Sequence, residues 1–173
     1  VYYFCQGLEQ KQTTTLFIKN LINSDIEKSK LSIIEKVFNQ SKEAIVVTDN
    51  RGYIQSVNEK FCHITGYSQE EVIGGTPAIL KSGQHDNKFY KTFWLKLRKE
   101  GAWQGEIWNK RKNGDIYPEW LNISSVRNEQ GKITNYIAQF TDITKRKKSE
   151  EEQLFQVYHD PLTNLPNRKL LFE

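Results

Sequence analysis

Residues 105–141 read GEIWNKRKNGDIYPEWLNISSVRNEQGKITNYIAQFT, which is three extended segments separated by two turns. The turns KNGD at 112–115 and NEQG at 128–131 carry the Asn, Asp and Gly residues that connect antiparallel neighbours. The stretch therefore predicts three antiparallel strands in a row. Their predicted bounds are Gly105–Arg111, Ile116–Val126 and Ile133–Thr141.

A second pair of strands is predicted upstream. The run AIVVT at 44–48 is β-branched and stops at the turn DNRG at 49–52, and a further strand follows at 53–57. This pattern is typical of a hairpin. The same region thus contains five strands in two antiparallel groups.

The segment between the two groups has helical patterns. Short helices are predicted at 58–65 and 68–73, and a longer helix, capped by Asp86 or Asn87, reaches Glu100. Its apolar residues form one stripe. The order of strands and helices predicts an α+β fold, with a five-stranded antiparallel sheet and short helices packed across one face.

Helical linkers are predicted on both sides of this domain, which we place at 43–143. Residues 1–42 carry apolar residues at helical spacing, and this helix is expected to cover the outer face of the sheet or a dimer partner. Its opening VYYFC is either the end of a membrane segment or upstream domain, or an apolar helix end. The helix at 144–158 is so polar that it should bridge domains or pair with a second copy.

Composition excludes several classes of protein. The 173 residues carry a net charge of +4, with 27% charged and 37% hydrophobic residues, which excludes collagen, disulfide scaffolds and wholly disordered chains. No apolar run of about 18 residues predicts a membrane span. Cys5 and Cys62 match neither zinc nor redox spacing, which indicates a reducing, cytoplasmic setting. The basic residues lie in short runs, so no nucleic-acid partner is expected.

Five motifs of the domain occur in the order and at the spacing of a known family, and the sequence resembles an S-box PAS domain. These motifs are AIVVTD at 44–49, NEKF at 58–61, ITGYSQEEVIG at 64–74, NKRKNG at 109–114 and DIT at 142–144. The resemblance implies the PAS fold, in which a cavity between the sheet and the helices can hold a ligand. It also implies a sensory role.

Part of the pattern is similar to FAD-binding PAS sensors, in which a Trp and an Asn like Trp94 and Asn109 lie beside the isoalloxazine. Strand alternation places Asn109 on one face with Ile107 and Gly105. The candidate cofactor-binding residues are Trp94, Trp103, Asn109, Glu119 and Phe140. Two alternatives stay open: the tryptophans simply fill the core, or the cavity is empty or holds a small ligand.

Other cofactors lack the residues that they need. Blue-light LOV domains require a cysteine after the Ile-Gly pair, whereas residues 73–78 read IGGTPA, and Phe140 stands where LOV domains carry a signalling Gln. A haem ligand is expected on the long helix, but His85 precedes it. Cys62 and His63 point about 100° apart on a helix, so no shared metal is predicted.

The C-terminal stretch 159–168, HDPLTNLPNR, resembles the opening of GGDEF domains, which are diguanylate cyclases. Pro166 is similar to the form found in GGDEF–EAL proteins, where a phosphodiesterase follows. GTP and Mg would bind only in such a domain, whose catalytic signature does not occur before Glu173, so we expect no enzymatic activity of this chain. An ordinary loop before a helix is the alternative explanation of residues 159–173.

These observations predict a sensory module that controls cyclic di-GMP signalling. The last strand would pass a change in the cavity through Asp142, Ile143 and Thr144 into the following helix. GGDEF cyclases act as dimers, so a homodimer is expected, and the parent protein could be attached upstream to the inner membrane. The alternative function is a ligand-free PAS scaffold for dimerisation.

Overall fold

The computed structural model describes residues 26–158. Helix α1 spans 26–39 and belongs to the first of two compact units, and the second unit begins at Ser41. Several large apolar side chains of α1 are exposed: Ile26, Leu31, Ile33, Ile34 and Val37. Between residues 26 and 158, no helix is both long and apolar enough to cross a bilayer.

The second unit is a five-stranded antiparallel sheet with helices inserted between strands two and three. The strands are β1 (Ala44–Asp49), β2 (Ile54–Val57), β3 (Ala102–Lys110), β4 (Ile116–Arg127) and β5 (Ile133–Asp142). The helices are α2 (Glu59–Thr65), α3 (Gln69–Val72), the 3₁₀ helix η1 (Pro77–Leu80), α4 (Asn87–Glu100) and α5 (Thr144–Tyr158). The strand order β2-β1-β5-β4-β3 places the first and last strands side by side.

This architecture confirms the predicted α+β fold. Several predicted strand bounds differ from the observed ones by one residue, and one was wrong by more, because β3 begins at Ala102 rather than Gly105. The strand is longer because Ala102, Trp103 and Gln104 continue the pairing with 122–124 of β4. The sequence pattern missed this extension because no β-branched residue marks it.

Asn58 connects the helices to the sheet. Its side-chain oxygen accepts hydrogen bonds from the backbone N–H of Phe61, which caps α2, and from that of Ile45 in β1, at 3.0 and 2.9 Å. Its amide also donates to the Glu43 carbonyl at 3.0 Å. The side chain is fully buried. One residue thus fixes where α2 begins relative to the first strand.

Asp86 caps the start of α4, as Asn58 caps α2, but Asp86 is exposed. Its carboxylate accepts from the Phe89 N–H at 2.7 Å, and Gly101, with a φ of 78°, ends the helix in the left-handed conformation. Phe93 and Leu97 of α4 are buried against the inner face of the sheet. This packing encloses the space described below.

Strand β3 forms one edge of the sheet, and a loop protects part of this edge. Lys81 forms a backbone bridge with Asn109, and Ser82 Oγ donates to the Trp108 carbonyl at 2.5 Å. His85 Nε2 accepts from the Trp108 N–H at 2.9 Å. Both outward-facing backbone groups of Trp108 are therefore paired with side chains.

Candidate ligand-binding cavity

A cavity of about 280 Å³ lies between the inner face of the sheet and helices η1 and α4. Its wall is formed by residues of β1, β3, β4 and β5 together with these two helices, and most of the lining side chains are apolar. Cavities of this kind, with a few converging polar groups, are the usual sites of small-molecule binding.

The principal polar group of the wall is the carboxyl of Glu119, which is 1% exposed. Asn109 Nδ2 donates to its Oε1 at 2.9 Å, and the Tyr117 hydroxyl donates to its Oε2 at 2.8 Å. Burial raises the pKa of Glu119 to about 8, against the lowering effect of these two hydrogen bonds. Near neutral pH, Glu119 is therefore mostly an uncharged carboxylic acid.

A second set of polar contacts links Tyr117 to the start of α5. The Arg111 guanidinium lies over the Tyr117 ring, 3.9 Å from its centre, and forms an ion pair with Asp142. Arg111 also donates to the carbonyl of Ile64 in α2. Because burial, the nearby Glu119 charge and their hydrogen bond all favour the neutral phenol, the pKa of Tyr117 is raised. Arg111 thus joins the cavity wall, α2 and the end of β5.

Asp142 fixes the start of α5. Its carboxylate accepts from the Thr144 N–H at 2.8 Å, and on the sheet Asp142 pairs with Glu119 of β4. Partial burial raises the pKa of Asp142, but the hydrogen bonds from Thr144 and the Arg111 charge outweigh it, and the net shift is downward. Ile143 is buried, and its N–H donates to the Pro118 carbonyl at 3.0 Å.

The first turn of α5 is also held by charge on β3. Lys147 Nζ lies 2.6 Å from Glu106 Oε2, and Arg146 Nη2 lies 3.5 Å from Glu106 Oε1. These groups are partly exposed, so each pair contributes little to stability. They nevertheless connect the first turn of α5 to β3.

The structure brings four of the five predicted cofactor residues to the cavity. Trp94, Asn109, Glu119 and Phe140 line it, and Trp94 remains 39% exposed. Trp103 is not among the lining residues. Its ring instead packs on Phe93, with centroids 4.7 Å apart, and covers Gly105.

The glycine explains this position of Trp103. A methyl group on Gly105 would lie 3.0 Å from two carbons of the indole. The missing side chain therefore creates the space that the ring occupies. The predicted strand began at Gly105, so the sequence pattern could not show that the Trp103 ring would fold over its neighbour.

Two contributors to this region were not among the predicted site residues: Arg111 and Tyr90. Arg111 lies within the motif NKRKNG, but no periodicity indicates its partners across the sheet. Tyr90 belongs to the apolar stripe of α4 and lines the cavity. A tyrosine in such a stripe is normally assigned to the core, so the sequence held no separate signal.

The residues considered for haem or metal lie outside the cavity lining. His85 stacks on Phe89, with ring centroids 4.0 Å apart, and burial lowers its pKa. Cys62 is a free, half-buried thiol whose pKa is raised by burial. In the described part of the chain, no three His, Cys, Asp or Glu residues cluster as metal ligands would.

Comparison with known proteins agrees with this geometry. The PAS domain family model matches residues 42–145. A nitrogen fixation regulatory protein of Klebsiella oxytoca is 34% identical over 105 residues, which is 61% of this chain and 21% of that protein. Cyclic di-GMP phosphodiesterase PdeR of Escherichia coli strain K12 is 28% identical over 149 residues, 82% of this chain and 22% of that protein.

A solved structure shows the same fold. The PAS domain of a protein from Colwellia psychrerythraea superposes with a TM-score of 0.62 and 28% identity, covering 67% of this chain and 98% of that one. The chain spans only about a fifth of the length of the two curated relatives. From the family match, the strand order and the cavity together, the chain belongs to the PAS domain family, whose members in signalling proteins are sensory and regulatory modules.

Proposed function

We propose that this PAS module binds FAD in its cavity and passes the state of the flavin into α5. The observation that carries the proposal is the buried pair of Asn109 and Glu119 on a mostly apolar wall. An isoalloxazine needs an apolar slot and groups that both donate and accept hydrogen bonds at its polar edge. When bound, the flavin would supply a redox change at a ring that absorbs visible light.

The chain's own residues fit this group. Asn109 offers an amide, and Glu119, being mostly uncharged near neutral pH, offers a carboxylic acid that can donate as well as accept. Trp94 and Phe140 supply aromatic surface on two sides of the cavity. A charged carboxylate in this place would cost more free energy to bury than the neutral acid does.

The proposed transmission route consists of contacts between described side chains. It runs from Glu119 through the Tyr117 hydroxyl to Arg111, and from Arg111 through Asp142 to the first turn of α5. A ligand moves this system only by the difference in its affinity for the two states. A flavin state that reorients Glu119 would therefore change the balance of contacts made by Arg111.

We further propose that the output is cyclic di-GMP turnover in a cytoplasmic homodimer. The support is the GGDEF-like stretch at 159–168, which lies outside the described residues, and the name of the relative PdeR. The exposed apolar residues of α1 would supply helix surface for pairing between copies.

The test of flavin binding is spectroscopic. The 173-residue chain, incubated with FAD and separated by gel filtration, should keep an absorption band near ~450 nm. Asn109→Ala should lose the band, whereas Asn122→Ala, on the exposed face of β4, is the matched control and should keep it. A wild-type chain that retains no FAD, or an Asn109→Ala variant that retains as much as the wild type, would contradict the proposal.

The test of transmission uses Tyr117→Phe, which removes one hydroxyl and preserves the packing. Reducing the bound FAD should change amide hydrogen exchange in 147–153 of the wild type, and this response should disappear in the variant. Tyr53→Phe, at an exposed ring, is the control. The proposed route is wrong if the variant responds as strongly as the wild type.

A ligand-free dimerisation scaffold is the second candidate function. The exposed Ile33, Ile34 and Val37 of α1 favour it, because a helix with this much exposed apolar surface is typical of pairing. Colourless, uniform dimers that bind no FAD would support the scaffold, and monomers that bind FAD would exclude it.

A further inference from the structure

The Tyr90 hydroxyl is buried on the cavity side of α4. Within residues 26–158 it has no hydrogen-bond partner, although its oxygen is shielded from solvent and Tyr90 lines the cavity. A buried hydroxyl without a partner costs free energy that folding does not recover. If Tyr90 served only to pack α4, phenylalanine would fill the same space without this cost in free energy.

The Tyr90 ring is held in place by its neighbours. Lys81 Nζ lies 4.2 Å from the ring centre, and the rings of Phe89 and His85 pack edge-on, at 5.4 and 6.3 Å between centroids. The hydroxyl is thus directed by a fixed ring, which reduces the entropy lost when a ligand binds to it.

Three other polar groups of the cavity wall have partners. Asn109 and Glu119 bond to each other, and Thr48 Oγ1 donates to the Asp49 carbonyl at 3.0 Å. Burial raises the pKa of the Tyr90 phenol, and the electrostatic influence of Glu119 adds to this shift. The hydroxyl and the Asn109–Glu119 pair therefore face the same enclosed space from α4 and from the sheet.

We infer that Tyr90 determines ligand specificity, and that its hydroxyl donates to a carbonyl oxygen or ring nitrogen of a planar heteroaromatic ring. A phenol donates well to such acceptors, whereas an alkyl chain or a hydrocarbon ring offers it nothing. The inference rests on the proposed flavin function for the choice of probe, and it adds the residue that would select among ring ligands.

The test is Tyr90→Phe, measured in two ways. Without ligand, the variant should melt several degrees higher than the wild type, because the unpaired hydroxyl is gone. With riboflavin as the probe, its dissociation constant should rise about tenfold, as expected for one lost hydrogen bond. A residue that merely packs in the core would show neither this gain in melting temperature nor this loss of affinity.

Tyr67→Phe is the matched control, because Tyr67 is also half-buried with a lysine over its ring, Lys112 at 5.9 Å, but does not line the cavity. It should leave riboflavin affinity unchanged. An equal riboflavin affinity of Tyr90→Phe and wild type, or a lower melting temperature of the ligand-free variant, overturns the inference. If the wild type retains FAD but does not bind riboflavin, the inference fails while the flavin function stands. If it binds neither, the flavin function fails, and a ligand-free Tyr90→Phe variant that does not melt higher than the wild type overturns the inference as well.

Discussion

Replacing Glu119 by Gln should remove a pH dependence of stability that the wild-type domain carries. The glutamine has nearly the same shape, and its amide can accept from Asn109 and donate to the Tyr117 oxygen. What it cannot do is ionise. Any difference in pH dependence between the two proteins therefore reports the titration of this single carboxyl.

The sign follows from the raised pKa of Glu119, which is about 8 in the folded protein and 4.5 as its ordinary value. Between these values the folded state holds a proton that the unfolded state has released, so the free energy of unfolding falls as pH rises. From pH 6.5 to pH 8 the loss from this group is about 1.5 kcal/mol. Above pH 8 it levels off.

Urea unfolding of both proteins at several pH values between 6.5 and 8.5 measures this effect. The lowered pKa of His85 acts mainly on the acid side of this range and is common to both proteins, so the difference between wild type and Glu119→Gln isolates Glu119. The difference should grow in favour of the variant as pH rises. A constant difference across the range would refute the assignment of a neutral buried acid.

Three further predictions test contacts that the structure describes. Asn58→Ala should lower the free energy of unfolding by about 3 kcal/mol, since it removes a cap and leaves buried backbone groups unpaired, whereas Asp86→Ala at an exposed cap should cost about 1 kcal/mol; urea titration that gives equal losses would contradict this. Gly105→Ala should destabilise by about 1–3 kcal/mol by displacing the Trp103 ring, a cost that mostly vanishes in a Trp103→Ala background; additive losses would show that the ring does not cover the glycine. Arg111→Met should raise the pKa of Asp142 toward its ordinary value, seen by NMR titration of the carboxyl, and an unchanged pKa would exclude the ion pair.

Local sequence patterns were sufficient to predict the fold. Alternation in β4 and the turns around Gly114 and Gly131 determine neighbouring strands, and Asp86 begins α4 as predicted because capping depends on residues close in sequence. Alternation in β3 also placed Asn109 on the same face as Ile107, and both residues line the cavity. These features depend on residues that are close together in the chain, so a single sequence is enough to predict them.

The contacts that make the cavity specific are not local. Arg111 reaches Ile64 and Asp142, which lie 47 and 31 residues away, and no period or propensity encodes such pairings. Propensities also do not show that burial keeps Glu119 uncharged. Nor do they show that, among the described residues, the Tyr90 hydroxyl has no partner. Such properties depend on the packing of several elements at once.

The pairing of Trp108 with Ser82 and His85 has a consequence for how copies of this domain associate. An unpaired edge strand can bind a neighbouring chain that extends the sheet, and here the side chains of a loop occupy two of the backbone groups that such a neighbour would use. Acidification turns the His85 imidazole from an acceptor into a cation, which can no longer receive the Trp108 N–H. Because burial lowers the pKa of His85, acid strong enough to protonate it should free the Trp108 N–H and leave this part of the edge open to pairing with a second copy.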